Sequence, residues 1–148
     1  MKKLSIIIPV YNEDSTIYDV LVKVNAVKMI DNIAKEIIVV NDKSSDSSGS
    51  EIERYISDTN NPIVTYVSHE VNKGKGGALH TGIKSATGDY TIIQDADLEL
   101  DPDEFNVLVK PVLDKEADVV YGSRFLGKKK AGAGMSKMAN GFLTWLSN

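Results

Sequence analysis

The chain has 148 residues, the length of a single domain, and is 42% hydrophobic and 26% charged. Its formal net charge of −4 argues against general nucleic-acid binding, which depends on a basic surface. The absence of cysteine excludes disulfides and thiolate zinc sites, and it is compatible with a reducing compartment. The apolar run that begins at Leu4 is too short for a signal peptide or a membrane span.

Strand and helix patterns alternate along the chain. Short, continuous apolar runs are typical of strands buried in a parallel sheet. Between them, apolar residues spaced three and four apart predict helices. The alternation predicts an α/β fold with a mostly parallel central sheet flanked by helices. The predicted strands are residues 4–8, 36–40, 63–67, 90–94 and 118–121.

Glycine and proline mark the helix boundaries in the second half of the chain. The glycine-rich segment 72–77 is predicted to form a tight loop that leads into the third helix. Gly88 is predicted to end that helix as its C-terminal cap. Asp101 and Pro102 are typical of the start of a fourth helix.

Polar loops follow four of the five predicted strands, at residues 9–13, 41–46, 95–99 and 122–124. The carboxyl ends of parallel strands lie at one edge of a sheet, so we expect these loops to gather there. Asp95 and Asp97 place two hard oxygen ligands at a strand end. Such a pair suits a divalent cation that also holds phosphate oxygens, which predicts a nucleotide or diphosphate substrate.

The polar segments together resemble the motifs of glycosyltransferase family 2. The residues that carry the resemblance read SIIIPVYNE, EIIVVNDKSSD, NKGKGGA and QDADLE, in this order. They are most similar to the branch that transfers sugars to polyprenyl or dolichyl phosphate, and the resemblance covers roughly the first 125 residues. It implies a GT-A fold, in which a nucleotide-binding α/β sandwich uses Mg²⁺ or Mn²⁺ to hold a nucleotide sugar.

The resemblance also implies roles for individual residues. Asp42 would hydrogen-bond the base, and Asp95 and Asp97 match the metal-binding DXD motif. Glu99 stands where this branch carries a further polar residue near the metal, and Arg124 would face the phosphates. The expected nucleotide-sugar-binding residues are Pro9, Tyr11, Glu13, Asp42, Lys75, Asp95 and Ala96. The expected metal ligands are Asp95, Asp97 and Glu99, and the expected catalytic residues are Asp97 and Arg124.

The predicted activity is transfer of a sugar from a UDP- or GDP-sugar to an acceptor, for which this branch implies polyprenyl or dolichyl phosphate. A phosphate acceptor is already anionic and can attack without a general base. One alternative is a donor-binding fragment without turnover, since family members usually continue past the Gly-Ser-Arg segment and we expect truncation at the C-terminus. Another is a phosphohydrolase with Asp95 as its nucleophile.

The last residues differ in character from the rest. We expect a nucleotide-sugar-binding domain over residues 1–126, then a flexible basic segment and an apolar helix over 127–148. Lysines 128–130 are either a solvated stretch or, beside this helix, a contact with an anionic membrane surface. The apolar residues of the helix are compatible with homo-oligomers. We therefore expect a cytoplasmic protein, either free or at the cytoplasmic face of a membrane.

Each candidate residue also has a purely structural interpretation. Asp95 and Asp97 could be turn residues, Asp42 an Asx-turn residue, and Glu13 an acid in the first turn of a helix. Arg124 could form a surface ion pair. His69 and His80 are isolated in the sequence, and we expect structural or surface roles for both.

Overall fold

The computed structural model describes residues 2–122. Arg124, the predicted boundary at residue 126 and the segment 127–148 lie outside the described residues. Between residues 2 and 122, no helix is long and apolar enough to cross a membrane. The elements are β1 (Lys3–Val10), α1 (Ile17–Ala26), a 3-10 turn (Ile30–Asn32), β2 (Ala34–Asn41), α2 (Ser48–Thr59), β3 (Val64–Ser68), α3 (Gly74–Ser85), β4 (Tyr90–Ile93), a second 3-10 turn (Pro102–Glu104) and α4 (Phe105–Leu113).

The four strands form one parallel sheet in the order β3-β2-β1-β4. This confirms the predicted α/β fold with a parallel central sheet. The chain builds outward from β1 to β2 and β3, then returns to place β4 on the other side of β1. Such a reversal opens a crevice at the carboxyl ends of the two strands that flank it, here β1 and β4.

Helices cover both faces of the sheet, because alternate side chains of a strand point to opposite faces. On one face, Leu4, Ile6 and Ile8 of β1 belong to the main core with α1, α2 and α4. On the other, Ile7 packs in a smaller cluster with Ala78 of α3. The main core buries the apolar faces that the sequence predicts for these helices.

Pro9 lies inside β1, a position that a central strand normally excludes because proline cannot donate to a ladder. β4 pairs with β1 only as far as Ile7, whose carbonyl accepts from the amide of Gln94 at 2.9 Å. The backbone of Pro9 points to the same side as that of Ile7, two residues earlier. The donor that proline lacks would therefore point into the space where β4 has ended, so Pro9 is tolerated at the crevice.

The predicted fifth strand was wrong within the described residues. The chain over residues 118–121 forms no strand. Val119 and Tyr121 are 66% and 88% exposed. A strand forms when pairing and burial offset the lost chain entropy, and these side chains gain little burial.

The glycine-rich segment 72–77 is mostly helix, not the predicted loop. α3 begins at Gly74, whose amide donates to Oδ1 of Asn72 at 3.0 Å. This side-chain acceptor satisfies one of the amides that the start of a helix leaves without an intrahelical partner. Helical geometry therefore begins within the glycine run.

Gly88 is not the C-terminal cap of α3, which ends at Ser85 and is capped by Ala86 in an extended conformation. A Cβ atom at Gly88 would lie only 2.6 Å from Oγ of Ser5 and 2.7 Å from the carbonyl oxygen of Lys3. The glycine is thus needed because the chain passes close to β1 before β4 begins.

A polar network ties the chain before β4 to β1 and β2, at the end of the sheet opposite the crevice. Glu36 accepts from Oγ of Ser5 at 2.6 Å and from the amide of Thr87 at 2.7 Å, and its Oε2 lies 2.7 Å from Nζ of Lys3. Burial alone would raise the pKa of Glu36, but the hydrogen bonds from Lys3, Ser5 and Thr87 outweigh it. They lower the pKa of Glu36 from 4.5 to about 2.

We predict that Glu36→Gln lowers the free energy of unfolding by about 1–2 kcal/mol at pH 7. The depressed pKa means that the ionised carboxylate stabilises the fold above pH 4.5, and that this contribution is lost as the pH falls toward 2. Urea unfolding of both proteins between pH 7 and 3 should show the difference shrinking below pH 4.5. The exposed Glu53→Gln variant is the control, and a pH-independent difference for Glu36→Gln would contradict the account.

Candidate functional site

A cleft of about 370 Å³ opens at the carboxyl ends of β1 and β4. Its walls come from the ends of β1 and β2, the start of α3 and the loop after β4. All of the residues predicted to bind the nucleotide sugar line it, as does Asp97. The complete lining is Pro9, Val10, Tyr11, Glu13, Asp42, Asn72, Gly74, Lys75, Ala78, Asp95, Ala96 and Asp97.

Hydrogen bonds join the loop after β1 to the loop after β2. The amide of Asn12 donates to Oγ of Ser44 at 3.0 Å, and its Oδ1 accepts from the amide of Ser45 at 2.8 Å. Asn12 has a φ of 56°, a left-handed conformation that asparagine tolerates better than most residues. The amide of Glu13 donates to the buried hydroxyl of Ser48, the first residue of α2, at 2.7 Å, so α2 also holds the loop after β1 at the cleft.

Thr16 joins the same region to the loop after β4. Its hydroxyl lies 2.9 Å from the carbonyl oxygen of Ala96 and 3.0 Å from Oε2 of Glu13. Ala96 is 4% exposed and belongs to the main core. Because Ala96 is anchored in this way, Asp95 and Asp97 on either side of it are both held at the cleft.

The two aspartates of this loop have different partners. Oδ1 of Asp95 lies 2.6 Å from Nζ of Lys75, in an ion pair whose side chains are 30% and 62% exposed. Exposed pairs contribute little to stability, so a cation or a phosphate can displace this contact. Oδ1 of Asp97 accepts from the amide of Glu99 at 3.1 Å, which fixes the turn that follows.

The acidic side chains of the loop suit a metal ion whose remaining coordination positions are filled by its substrate. Over residues 2–122, no three histidine or acidic side chains are grouped to hold a metal ion. Mg²⁺ is commonly bound by one or two carboxylates, with phosphate oxygens and water filling the other positions. Asp95 and Asp97 suit that arrangement. Glu99, the third expected ligand, is outside the lining of the cleft and stays a prediction.

Asp42 follows β2 and is almost completely buried, with 2% of its surface exposed. Its Oδ1 accepts from Nδ1 of His69 at 2.6 Å and from the amide of Lys73 at 2.8 Å. Burial alone would raise the pKa of Asp42, but these hydrogen bonds outweigh it and hold the pKa below its usual value. The carboxylate is therefore ionised at neutral pH.

His69 is a partner of the site that the sequence analysis missed. The ring is buried against Asp42 and its Nε2 lies 2.8 Å from Oγ1 of Thr81, which fits the expected structural role and also places the ring beside a residue of the cleft. A signal was present, because His69 directly follows β3, which also ends at this edge of the sheet. The loop after β3 was not among the polar loops predicted to form the site.

The N-terminus of α3 also faces the cleft, through Gly74 and Lys75. The first amides of a helix carry partial positive charge and favour bound anions. The Lys75 ammonium adds a full charge at the same place. The cleft thus has an acidic wall after β4 opposite a positive wall at α3, an arrangement suited to a metal-bound diphosphate.

Residues 5–144 match the model of a family described as glycosyl transferase family 2. The chain belongs to this family, which confirms the resemblance carried by its motifs. Membership of this family argues against the alternative interpretation, in which the chain is a phosphohydrolase.

The curated relatives include a polysaccharide synthase and a transferase named for undecaprenyl phosphate. The chain is 37% identical over 100 residues to a poly-beta-1,6-N-acetyl-D-glucosamine synthase of Staphylococcus epidermidis, covering 68% of this chain and 23% of that protein. It is 35% identical over 120 residues to an undecaprenyl-phosphate 4-deoxy-4-formamido-L-arabinose transferase of Yersinia pestis, covering 81% of this chain and 36% of that protein. The chain therefore spans only about a quarter to a third of the length of these relatives.

Solved structures confirm the GT-A type of fold. A mannosyltransferase from Pyrobaculum calidifontis, in complex with GDP-Man and Mn²⁺, matches with a TM-score of 0.59 and 30% identity over 65% of this chain and 28% of that one. A glucosyl-3-phosphoglycerate synthase from Mycobacterium tuberculosis, in complex with Mn²⁺, UDP and its product, matches with a TM-score of 0.61 and 25% identity over 76% of this chain and 40% of that one.

We predict that Thr16→Val lowers the free energy of unfolding by about 1 kcal/mol, because the carbonyl of Ala96 loses its hydroxyl partner. Thr16→Ser keeps the hydroxyl and is the matched control. Urea unfolding of the two variants and the natural protein measures the effect. Equal stability of the valine and serine variants would show that the Thr16 hydroxyl does not anchor this loop.

Proposed function

We propose that this chain provides the donor site of a glycosyltransferase that uses a UDP- or GDP-sugar and a divalent cation, Mg²⁺ or Mn²⁺. The observation that carries the proposal is the cleft at β1 and β4, which brings four chain segments with complementary charges together. The proposal is supported by relatives that the chain resembles and that were solved with GDP-Man or UDP and with Mn²⁺.

Asp95 and Asp97 would hold the cation against the diphosphate. A cation in this position would neutralise the negative charge that develops on the departing nucleotide. Lys75, only 2.6 Å from Asp95, is within reach of the same diphosphate. It would exchange its contact with Asp95 for one with a phosphate oxygen, since the cation then balances the charge of the carboxylate.

The nucleoside would lie on the side of the cleft away from the diphosphate. Pro9, Tyr11 and Glu13 line the cleft at the end of β1 and in the loop that follows, and Asp42 lines it after β2. A carboxylate can accept from the ribose hydroxyls or from donors on the base. We assign Glu13 to the ribose or base and Asp42 to the base. Arg124 and Glu99 stay proposed contributors to phosphate and metal binding.

For the acceptor we propose a polyprenyl phosphate. The undecaprenyl-phosphate transferase of Yersinia pestis, to which 81% of this chain aligns, supports this choice. A phosphate oxygen is already ionised and can attack the anomeric carbon without a general base. Such a lipid acceptor places the protein at the cytoplasmic face of a membrane, where polyprenyl chains are held.

A second candidate function is donor binding without transfer. It is favoured by the acidic and positive walls of the cleft, which account for a nucleotide and a cation but assign no residue to the acceptor. The chain also spans about a quarter to a third of its curated relatives. The two candidates share the donor site and differ in turnover alone.

We predict that the chain binds UDP or GDP more tightly with Mn²⁺ than without it. Asp97→Asn should reduce this Mn²⁺-dependent increase in affinity by about tenfold or more. The amide is a weaker cation ligand than the carboxylate, so binding without Mn²⁺ should barely change. Isothermal titration of both nucleotides, with and without Mn²⁺, measures the effect. The exposed Asp19→Asn variant, on α1, is the matched control.

The same preparation tests turnover with UDP- and GDP-sugars and a short polyprenyl phosphate. Transfer that depends on Mn²⁺ supports the glycosyltransferase, and binding without transfer or hydrolysis supports the donor-binding candidate. Failure to bind either nucleotide would rule out both.

A further inference from the structure

A buried chain of polar groups runs behind the cleft, from Asp42 through His69 to Thr81. The His69 ring has 4% of its side-chain surface exposed, and the Asp42 side chain has 3%. Nδ1 of the ring lies 2.6 Å from Oδ1 of Asp42, and Nε2 lies 2.8 Å from Oγ1 of Thr81. Both ring nitrogens therefore have partners, so rotation of the ring would break two buried hydrogen bonds.

The chemistry of these groups fixes which atom carries the proton. An ionised carboxylate only accepts hydrogen bonds, so Nδ1 of His69 must carry a hydrogen and donate it to Asp42. In the neutral ring, Nε2 then accepts from the hydroxyl of Thr81. The carboxylate of Asp42 thus selects the tautomer, and the hydroxyl of Thr81 holds the other ring nitrogen and so keeps the ring turned toward Asp42.

Asp42 needs this support because it is both buried and charged. A buried carboxylate without partners would take up a proton or turn toward water. His69 from the end of β3 and the amide of Lys73 at the start of α3 both donate to Oδ1. The amide of Gly74 also hydrogen-bonds this carboxylate. A carboxylate has about four acceptor sites, so these three protein donors leave one for a donor on a bound ligand.

We propose that His69 is a positioning residue, which together with Thr81 fixes Asp42 so that one carboxylate oxygen reads a ring N–H of the nucleotide base. This inference rests on the proposed function, because it requires a nucleotide in the cleft. It predicts that His69 affects recognition of the base and leaves recognition of the diphosphate unchanged. It also predicts a preference for UDP over GDP, because a single acceptor matches the single ring N–H of uracil, whereas guanine offers two adjacent donors.

The test compares ligands with and without a base in the presence of Mn²⁺. We expect His69→Leu to lower the affinity for UDP about tenfold, and to leave the affinity for inorganic pyrophosphate within about twofold. His69→Asn, whose amide can replace the Nδ1 donor, should recover most of the loss. His80→Asn, at an exposed position next to Thr81 on α3, is the matched control and should change neither affinity.

A methylated nucleotide sharpens the test. 3-Methyl-UDP lacks the ring N–H, so it should bind the natural protein and His69→Leu with equal affinity. Should His69→Leu fail to fold by circular dichroism, Thr81→Val takes its place, with an expected selective loss of about threefold for UDP. Equal losses for UDP and pyrophosphate, or no loss for UDP, would overturn the positioning role.

These outcomes separate the inference from the proposed function. If the natural protein binds UDP with Mn²⁺ and His69→Leu binds it equally well, the inference alone is wrong. If the natural protein binds pyrophosphate but neither UDP nor GDP, the nucleotide site is wrong and the inference fails with it. Tighter binding of GDP than of UDP would contradict the single-acceptor account of Asp42.

Discussion

The central position of β1 in the parallel sheet determines where every candidate functional residue lies. β2 pairs with one side of β1 along eight residues, and β4 pairs with the other side along only four. The shorter strand leaves room beside the end of β1, and Pro9 can occupy that end because no neighbour needs its amide. The crevice is thus a direct consequence of strand order and strand length.

Side-chain hydrogen bonds then convert this crevice into a site with fixed walls. Asn12 joins the loops after β1 and β2, Ser48 joins the first of these loops to α2, and Thr16 fastens the loop after β4. These contacts use short polar side chains, which lose little entropy when they are fixed. The charged residues on the same loops are therefore held in place by neighbours that do not themselves line the cleft. This separation lets the charged side chains exchange a lysine or water partner for a ligand.

Much of the fold could be predicted from the sequence, because the central strands β1 and β2 are continuous apolar runs and the helices α1, α2 and α4 each have one apolar face. The location of the residues after β1, β2 and β4 could also be predicted, since the carboxyl ends of parallel strands meet at one edge of the sheet. The errors came from features that depend on distant contacts. Gly88 looks like a helix cap locally, but its role depends on how close the chain passes to Ser5. The run at 118–121 has strand-like composition, yet its side chains remain exposed.

The role of His69 in the site could not be predicted from the sequence for the same reason, because it depends on a contact between residues far apart in the chain. A single histidine in a sequence carries no information about its partners, and the Asp42 contact joins residues 27 positions apart. Only the parallel pairing of β2 and β3 brings them together. The sequence therefore indicates which acids surround the cleft, while the structure is needed to find the group that orients one of them.

The central claim is that one cleft holds both the base and the metal-bound diphosphate of a nucleotide. A crystal structure with Mn²⁺ and the more tightly bound of UDP and GDP tests it most directly. The account predicts carboxylate oxygens of Asp95 or Asp97 within about 2.3 Å of the metal, a distance typical of Mn²⁺–oxygen bonds, and the base within hydrogen-bond distance of Asp42. A nucleotide bound outside the cleft, or a metal bound away from both aspartates, would contradict it.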